Sequence, residues 1–307
     1  MKNTVFIHTN EKQMIGALVS AHSMKRNSSK PNTFDVKIIR TEDYQFYSDL
    51  QGKKYLREGN MVEWDANDLQ SFTTTRFMPP KLMNYTGRAV VVDPDVFAVG
   101  DVAELFDHDM NNHAVMARFR SGHKGYAEYI ATSVMLLDNS KLKHWDVESQ
   151  FKSMFRNEMD YEIWMRLGYE NPKSVGRLED QWNDFDNLDS RTKMIHNTKR
   201  RTQPWKTGLP VDFTNRRGFF GLLPASWTPK GWITRTKLPG SYWRHPDRRQ
   251  EQYFFALLKE CVENKSISEA LLKEHMLKNH VRHDALEIVG QVPNVDEILH
   301  IISQKAA

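Results

Sequence analysis

A single cysteine, Cys261, occurs in the 307 residues. One cysteine excludes a disulfide within the chain and a cysteine-based zinc cluster. A reducing cytoplasm is the expected setting. Long apolar runs are missing as well. No stretch approaches the length that spans a bilayer, and the early run Val5-Phe6-Ile7 is too short for a signal-peptide core. The chain is therefore expected to be soluble or only surface-attached. Internal repeats and low-complexity tracts are also absent.

What is present is an ordinary globular balance, 39% hydrophobic and 27% charged. A chain of this length can bury a full core unaided. One large domain, or one domain with a C-terminal extension, is expected. The net charge of +4 is unevenly spread. From Arg191 to Arg249 there are 14 Lys and Arg against two acids, Asp212 and Asp247. Such a run is either a solvated basic surface or a site for phosphate, an anionic acceptor or an anionic membrane.

Periodicity gives an α/β opening. Val5–His8 reads as a strand, and Ile15, Leu18, Val19 and Met24 recur at helical spacing, with Asn10 as a candidate cap. Phe34–Ile39 reads as a second strand, so parallel pairing is expected. The segment from Asp43 to Leu69 has no clear period. Ala89-Val90-Val91-Val92 puts apolar residues on consecutive positions, as a central strand buried on both faces does. A short helix pattern follows Asp101, with strand candidates at His113–Met116 and Val134–Leu137 and a helix candidate at Glu158–Leu167. Lys199–Pro246 holds six of the 12 prolines and reads as loop. Helix pattern resumes at Arg248.

The central strand runs straight into Asp93-Pro94-Asp95. In open α/β sheets ligands bind at the carboxyl ends of strands. Two adjacent carboxylates resist joint ionisation unless a cation neutralises them. Hard oxygen donors favour magnesium or manganese, and such an ion can stabilise a departing diphosphate. An Asp-x-Asp can also simply open a turn. His196 closes the apolar pair Met194-Ile195 and is a candidate third ligand, although a lone histidine is more often a satisfied core or surface residue. Lys199, Arg200 and Arg201 follow closely and suit a diphosphate or an exposed basic loop.

These pieces resemble, in order and spacing, the family 8 glycosyltransferases, which include glycogenin and bacterial galactosyltransferases. Phe6-Ile7-His8-Thr9-Asn10 with Gly16-Ala17-Leu18-Val19, then Arg76-Phe77, then Val92-Asp93-Pro94-Asp95-Val96, then His196 with Pro204-Trp205 carry the likeness over about two thirds of the chain. The resemblance implies a GT-A-like, Rossmann-type mixed sheet flanked by helices. It implies manganese (or magnesium) held by Asp93, Asp95 and His196, and a UDP-sugar donor contacted by Ile7, Thr9, Asn10, Arg76, Pro94 and Lys199. It further implies hexose transfer from UDP-glucose or UDP-galactose with retention, with Asp160, Tyr161 and Glu162 as the catalytic group. Three departures stand out. Ala131-Thr132-Ser133 occupies the place of an Asn-Ser-Gly-type turn, Tyr161 follows Asp160 where an amide is usual, and the closing element lacks its glycine before Lys199.

The implied division is a nucleotide-sugar-binding domain over 1–210 and a basic aromatic, then helical, region over 211–307. In the latter, Arg216, Arg217, Phe219, Phe220, Trp227, Trp232 and Tyr242-Trp243-Arg244 interleave cations with aromatics. Packing onto the catalytic layer, acceptor binding (a glycan, lipid or small hydroxyl compound) and peripheral contact with anionic lipid are the three readings. Nucleic acid ranks last, since no known module is visible. A nucleotidyltransferase, or a catalytically silent glycan- or lipid-binding homologue, is the rival function.

Overall fold

The computed structural model describes residues 2–122, 127–218, 223–224, 233–237 and 239–304, with the backbone alone at 215–218, 223–224 and 233–237. Its centre is a six-stranded sheet built from β1 (Asn3–Thr9), β2 (Phe34–Arg40), β5 (Arg88–Val92), β7 (Val115–Ser121), β8 (Glu128–Asp138) and β9 (Val175–Arg177). The spatial order is β2-β1-β5-β8-β7-β9. β1 runs parallel to β2 and β5, β8 runs antiparallel to β5 and β7, and β9 runs parallel to β7. The fold is therefore mixed α/β. β2, β1 and β5 show the expected parallel pairing, and β8 is the one strand of this sheet that runs against the other five.

Strand alternation divides the core. Val5, Ile7, Val90 and Val92 point into one apolar cluster with Ala17, Met24 and Leu105, so they receive the helix Met14–Arg26. Phe6, Ala89 and Val91 point the other way, into a cluster with Phe77, Trp145 and Phe151. β5 is buried on both faces, as its unbroken apolar run predicts.

Several expectations are corrected. Ala131-Thr132-Ser133 is not a turn but lies inside β8, an 11-residue strand. The irregularity falls on this same stretch: Ala117 of β7 pairs with Met135 and Arg118 with Ala131, so Thr132, Ser133 and Val134 are extra residues of β8 without a partner in β7. Asn10 does not cap the helix with its side chain. Its amide nitrogen instead donates to the Asp68 and Leu69 carbonyls and to Ser71 Oγ, which bonds the first turn to a distant loop. The unassigned Asp43–Leu69 region contains a hairpin of β3 (Lys54–Arg57) and β4 (Asn60–Glu63), turned by Glu58 and Gly59 at positive φ. Glu158–Leu167 yields only a short helix, Tyr161–Met165.

The basic segment is not all loop. β12 (Thr214–Gly218) pairs with β13 (Leu223–Pro224) and β14 (Ile233–Lys237) in a separate antiparallel sheet. The loop expectation for this segment came from its proline and glycine density alone. Phe219, Phe220, Trp227 and Trp232 lie outside the described residues. Beyond residue 247 four helices follow: Arg248–Glu263, Glu269–Leu277, Ala285–Gln291 and Val295–Gln304. They share one apolar cluster with Ile15, Val19 and Phe97. The Phe254 ring lies tilted 4.8 Å from Trp205 and edge-on 5.4 Å from Phe97. The C-terminal helices are thus packed across position 210 on the helix Met14–Arg26 and on Phe97 and Trp205. Among the described residues no helix is long and apolar enough to cross a membrane.

Candidate functional site

Two short strands bring the chemistry together. β5 ends at Val92, and the Asp93 amide donates to the Ser133 carbonyl of β8 at 2.9 Å. The chain turns through Pro94 and enters β6 (Val96–Ala98), which pairs antiparallel with β11 (Met194–His196). That register sets His196 opposite Val96, one residue beyond Asp95. The Asn197 amide then donates to the Asp95 carbonyl at 3.1 Å. Donor atoms of Asp93, Asp95 and His196 all lie within 4.8 Å of one another.

Each member has a distinct environment. His196 Nδ1 lies 2.9 Å from Asn183 Oδ1, an atom that only accepts. Nδ1 therefore carries a proton, and Nε2 faces Asp95 Oδ1 at 3.3 Å. Asn183 is itself held by Ser133 Oγ at 2.9 Å. Burial pulls His196 down, but the Asp95 and Asp93 carboxylates outweigh it and its pKa ends above the ordinary value. Asp95 Oδ1 is buried and accepts no hydrogen bond, while Oδ2 accepts one from Gln203 Nε2 at 3.2 Å.

Asp93 is more heavily committed. Arg76 grips it bidentately, Nε to Oδ1 at 2.9 Å and Nη2 to Oδ2 at 2.5 Å. His8 Nε2 reaches Oδ1 at 2.6 Å, and since a carboxylate only accepts, that nitrogen carries the proton. Burial disfavours the charge, yet Arg76 and then His8 hold the Asp93 carboxyl well below the usual range. His8 is fully buried and its own pKa falls for that reason. One lone pair on Asp93 Oδ2 remains outside these bonds.

An imidazole with its far nitrogen fixed by a second residue, a buried carboxylate oxygen without a donor and a second anchored carboxylate form a hard O,O,N donor set. That set fits a magnesium- or manganese-sized divalent cation.

The three residues line a cavity of about 700 Å³. Arg76, Tyr161, Glu162 and Lys199, all singled out in the sequence, line it too. Ile7, Thr9, Asn10, Pro94 and Asp160 do not. Ile7 is in the apolar core, and Thr9 and Asn10 are buried beside it. Pro94 packs its carbonyl against Gly16. Asp160 caps the helix Tyr161–Met165: Oδ1 accepts from the Glu162 amide at 2.9 Å and Oδ2 from the Gly59 amide at 2.9 Å. The expected catalytic trio thus reaches the cavity through Tyr161 and Glu162. Glu162 Oε1 takes both Nε (3.1 Å) and Nη2 (2.6 Å) of Arg57, whose guanidinium lies 4.2 Å over the Tyr161 ring. Tyr161 Oη bonds to Thr73 Oγ1.

The basic wall is sorted by the same geometry. Lys199 and Arg200 line the cavity with Arg120, which lies 4.5 Å over the Phe185 ring. Arg201 turns away to stack on Trp243 at 4.0 Å. Lys206 is fully buried against Asp212 Oδ2 at 2.6 Å, and Tyr242 Oη donates to Oδ1 of the same carboxylate. This clamp fixes Pro204-Trp205. Gln13, Arg57, Arg120, Asn183 and Gln203 were not singled out by sequence. Amides and lone arginines resemble surface residues until distant segments pack on them, so no local signal marks them.

No family model and no curated protein matches the sequence. Among solved structures, the glycosyltransferase GlyE of Streptococcus pneumoniae TIGR4 is similar at 15% identity and a TM-score of 0.47, over 67% of this chain and 56% of that one. This chain thus spans little more than half of GlyE. The galactosyltransferase LgtC, solved with donor and acceptor sugar analogs, is similar at 11% identity and a TM-score of 0.45, over 66% of this chain and 89% of that one. Mouse xyloside xylosyltransferase 1 is similar at 12% identity and a TM-score of 0.44, over 65% and 98%. With scores of this size, the reading of the site rests on the chain's own residues.

Proposed function

We propose that the chain is a hexosyltransferase of GT-A type that moves glucose or galactose, with retention, from a UDP-sugar to a hydroxyl acceptor. The observation that carries this reading is the Asp93, Asp95, His196 donor set opening onto a cavity that Lys199, Arg200 and Arg120 also line. Acid side chains for a cation beside base side chains for phosphate suit a nucleoside diphosphate. Asp93, Asp95 and His196 would hold a divalent ion, which when bound would supply charge neutralisation of the leaving diphosphate.

The remaining work falls to the chain. Gln13, whose Oε1 is buried without a partner, is offered to the base in place of the expected Thr9 and Asn10. Lys199 and Arg200 draw the diphosphate and stabilise its growing charge. Arg57 fixes Glu162 and Tyr161 at the sugar end. In transfer, the acceptor hydroxyl oxygen bonds to the anomeric carbon. The bond from that carbon to the diphosphate oxygen breaks, with its electron pair going to the diphosphate. The hydroxyl proton passes to the departing oxygen. The transition state is oxocarbenium-like.

Calorimetry of UDP with and without manganese, followed by UDP-glucose and UDP-galactose hydrolysis, tests the reading. Manganese-dependent binding and slow UDP release from one sugar are expected, and both are expected to vanish in Asp93→Ala and His196→Ala. No UDP binding in either condition removes the assignment. A second reading, a silent binding homologue, draws on Arg76 and His8 occupying both Asp93 oxygens. Metal-independent UDP binding without turnover would favour it.

A further inference from the structure

Beside the first cavity lies a second, of about 490 Å³. The β3–β4 hairpin, the loop before Ser71 and Thr214 enclose it. The two cavities share Arg57, Gln70 and Tyr161 as walls. The second therefore abuts the sugar end of the first, where Arg57 holds Glu162, and not the end that holds the metal donor set.

Among the described residues its charge has the opposite sign to the phosphate wall. Glu63, Asp65 and Asp68 line it against Lys54 and Arg57. Arg57 is committed to Glu162 and to the Tyr161 ring. Lys54 stands directly across the hairpin from Glu63 in the β3–β4 register. Asp68 Oδ2 accepts from Thr214 Oγ1 at 3.0 Å, which closes one side. Carboxylates in excess repel an anionic ligand. The same groups accept strong hydrogen bonds from hydroxyls, and Met61, which is partly exposed, adds an apolar surface for ring carbons.

We propose that this second cavity is the acceptor site and that its ligand is a neutral saccharide, not an anionic lipid or phosphorylated compound. Its hydroxyl enters the first cavity past Arg57 and Tyr161, to meet the anomeric carbon in the step already described. The proposal rests on the hexosyltransferase reading.

The test uses the full chain with manganese and each UDP-sugar. UDP release is measured alone, then with a panel of neutral oligosaccharides (maltose, cellobiose, methyl β-galactoside and longer neutral glycans), with glucuronate-containing oligosaccharides, and with phosphatidylglycerol vesicles. Glycosylated product is read by mass spectrometry. Transfer to at least one neutral member and to none of the anionic ones is expected. Glu63→Gln, which removes one charged acceptor from an exposed strand end, is expected to lower the ratio of transfer to hydrolysis about tenfold, as loss of one charge-assisted hydrogen bond does. Met61→Trp, which fills the cavity, is expected to lower the same ratio further. Transfer to anionic acceptors only, or to no neutral member, overturns the proposal while wild-type hydrolysis leaves the donor reading standing. Unchanged ratios in both variants overturn it as well. Absence of hydrolysis from either UDP-sugar removes the donor reading, and this proposal with it.

Discussion

The carbonyl oxygen of Pro94 lies 2.7 Å from where a Cβ on Gly16 would stand. Real Cβ atoms do not approach a backbone oxygen so closely, so glycine is what allows the first helix to lie against the Asp-Pro-Asp turn. Trp205 Cζ2, at 3.8 Å from the same point, closes the third side. The small residue in the sequence motif, the acidic turn and the closing tryptophan are therefore one contact. Neither the turn nor the helix can yield independently. The helix is fixed in the core by Ala17 and Val19, and the turn by β5 and β6.

It follows that Gly16→Ala shifts the Asp93–Asp95 turn. Overpacking of this kind costs about 1–3 kcal/mol. A lower melting temperature and weaker manganese-dependent UDP binding are expected together. Thermal denaturation alongside calorimetry checks both. Full stability with unchanged binding would mean that the helix moves aside freely.

Asn183 is expected to act on the metal through His196. It touches no cavity space assigned to substrate, but its Oδ1 fixes the His196 tautomer. Loss of such an outer partner typically lowers metal affinity about 10- to 100-fold. Asn183→Leu should therefore raise the manganese concentration needed for half-maximal UDP binding, with UDP affinity at saturating manganese nearly preserved. A fall in UDP affinity at saturating manganese would point to a structural role instead.

Stability in acid should depend on Asp101. Burial pushes its pKa up, but hydrogen bonds from Ser28, Ser29 and the Ala103 amide outweigh burial and bring it down from 3.8 to about 2. A carboxyl depressed in the folded state contributes stability above its unfolded pKa and loses it as pH falls through the folded one. Asp101→Ala is thus expected to be destabilised relative to wild type at pH 7. The gap should narrow between pH 4 and pH 2. Urea melts of both proteins across that range decide the matter, and a gap that stays constant would remove the assignment.

Much of the site was legible because its signals are local. Ala89–Val92 is apolar at every position, which only a doubly buried strand tolerates, and the carboxylates follow at once. His196 was identifiable as a candidate, but its approach to Asp95 depends on the three-residue pairing of β6 with β11, too short to announce itself. Arg57 and Glu162 are 105 positions apart, and nothing near either names the other. Asp160 misled for a physical reason: an acid before a helix serves equally as a ligand group or an N-cap, and here the backbone amides of Glu162 and Gly59 claim it. The β12–β14 sheet was hidden by the prolines around it.

Gln13 offers a test of base recognition that needs no turnover. It is 3% exposed, lines the first cavity and leaves Oε1 without a hydrogen bond. A buried acceptor left unmade costs about 1–3 kcal/mol, so a ligand donor at that position is strongly favoured. It stands one helical turn before Gly16, which touches the Asp-Pro-Asp turn, so a base held there would leave its diphosphate reaching toward Asp95. The amide oxygen of a glutamine can accept the N3 proton of uracil, and cytosine has no proton at that atom. Wild-type protein with manganese is therefore expected to bind UDP more tightly than CDP. Gln13→Leu should weaken UDP about tenfold, one hydrogen bond's worth, and leave CDP nearly unchanged. Calorimetry of the four pairs measures this directly. Equal weakening of both nucleotides would assign Gln13 to shape and not to readout, and no weakening of either would take the base away from this end of the cavity.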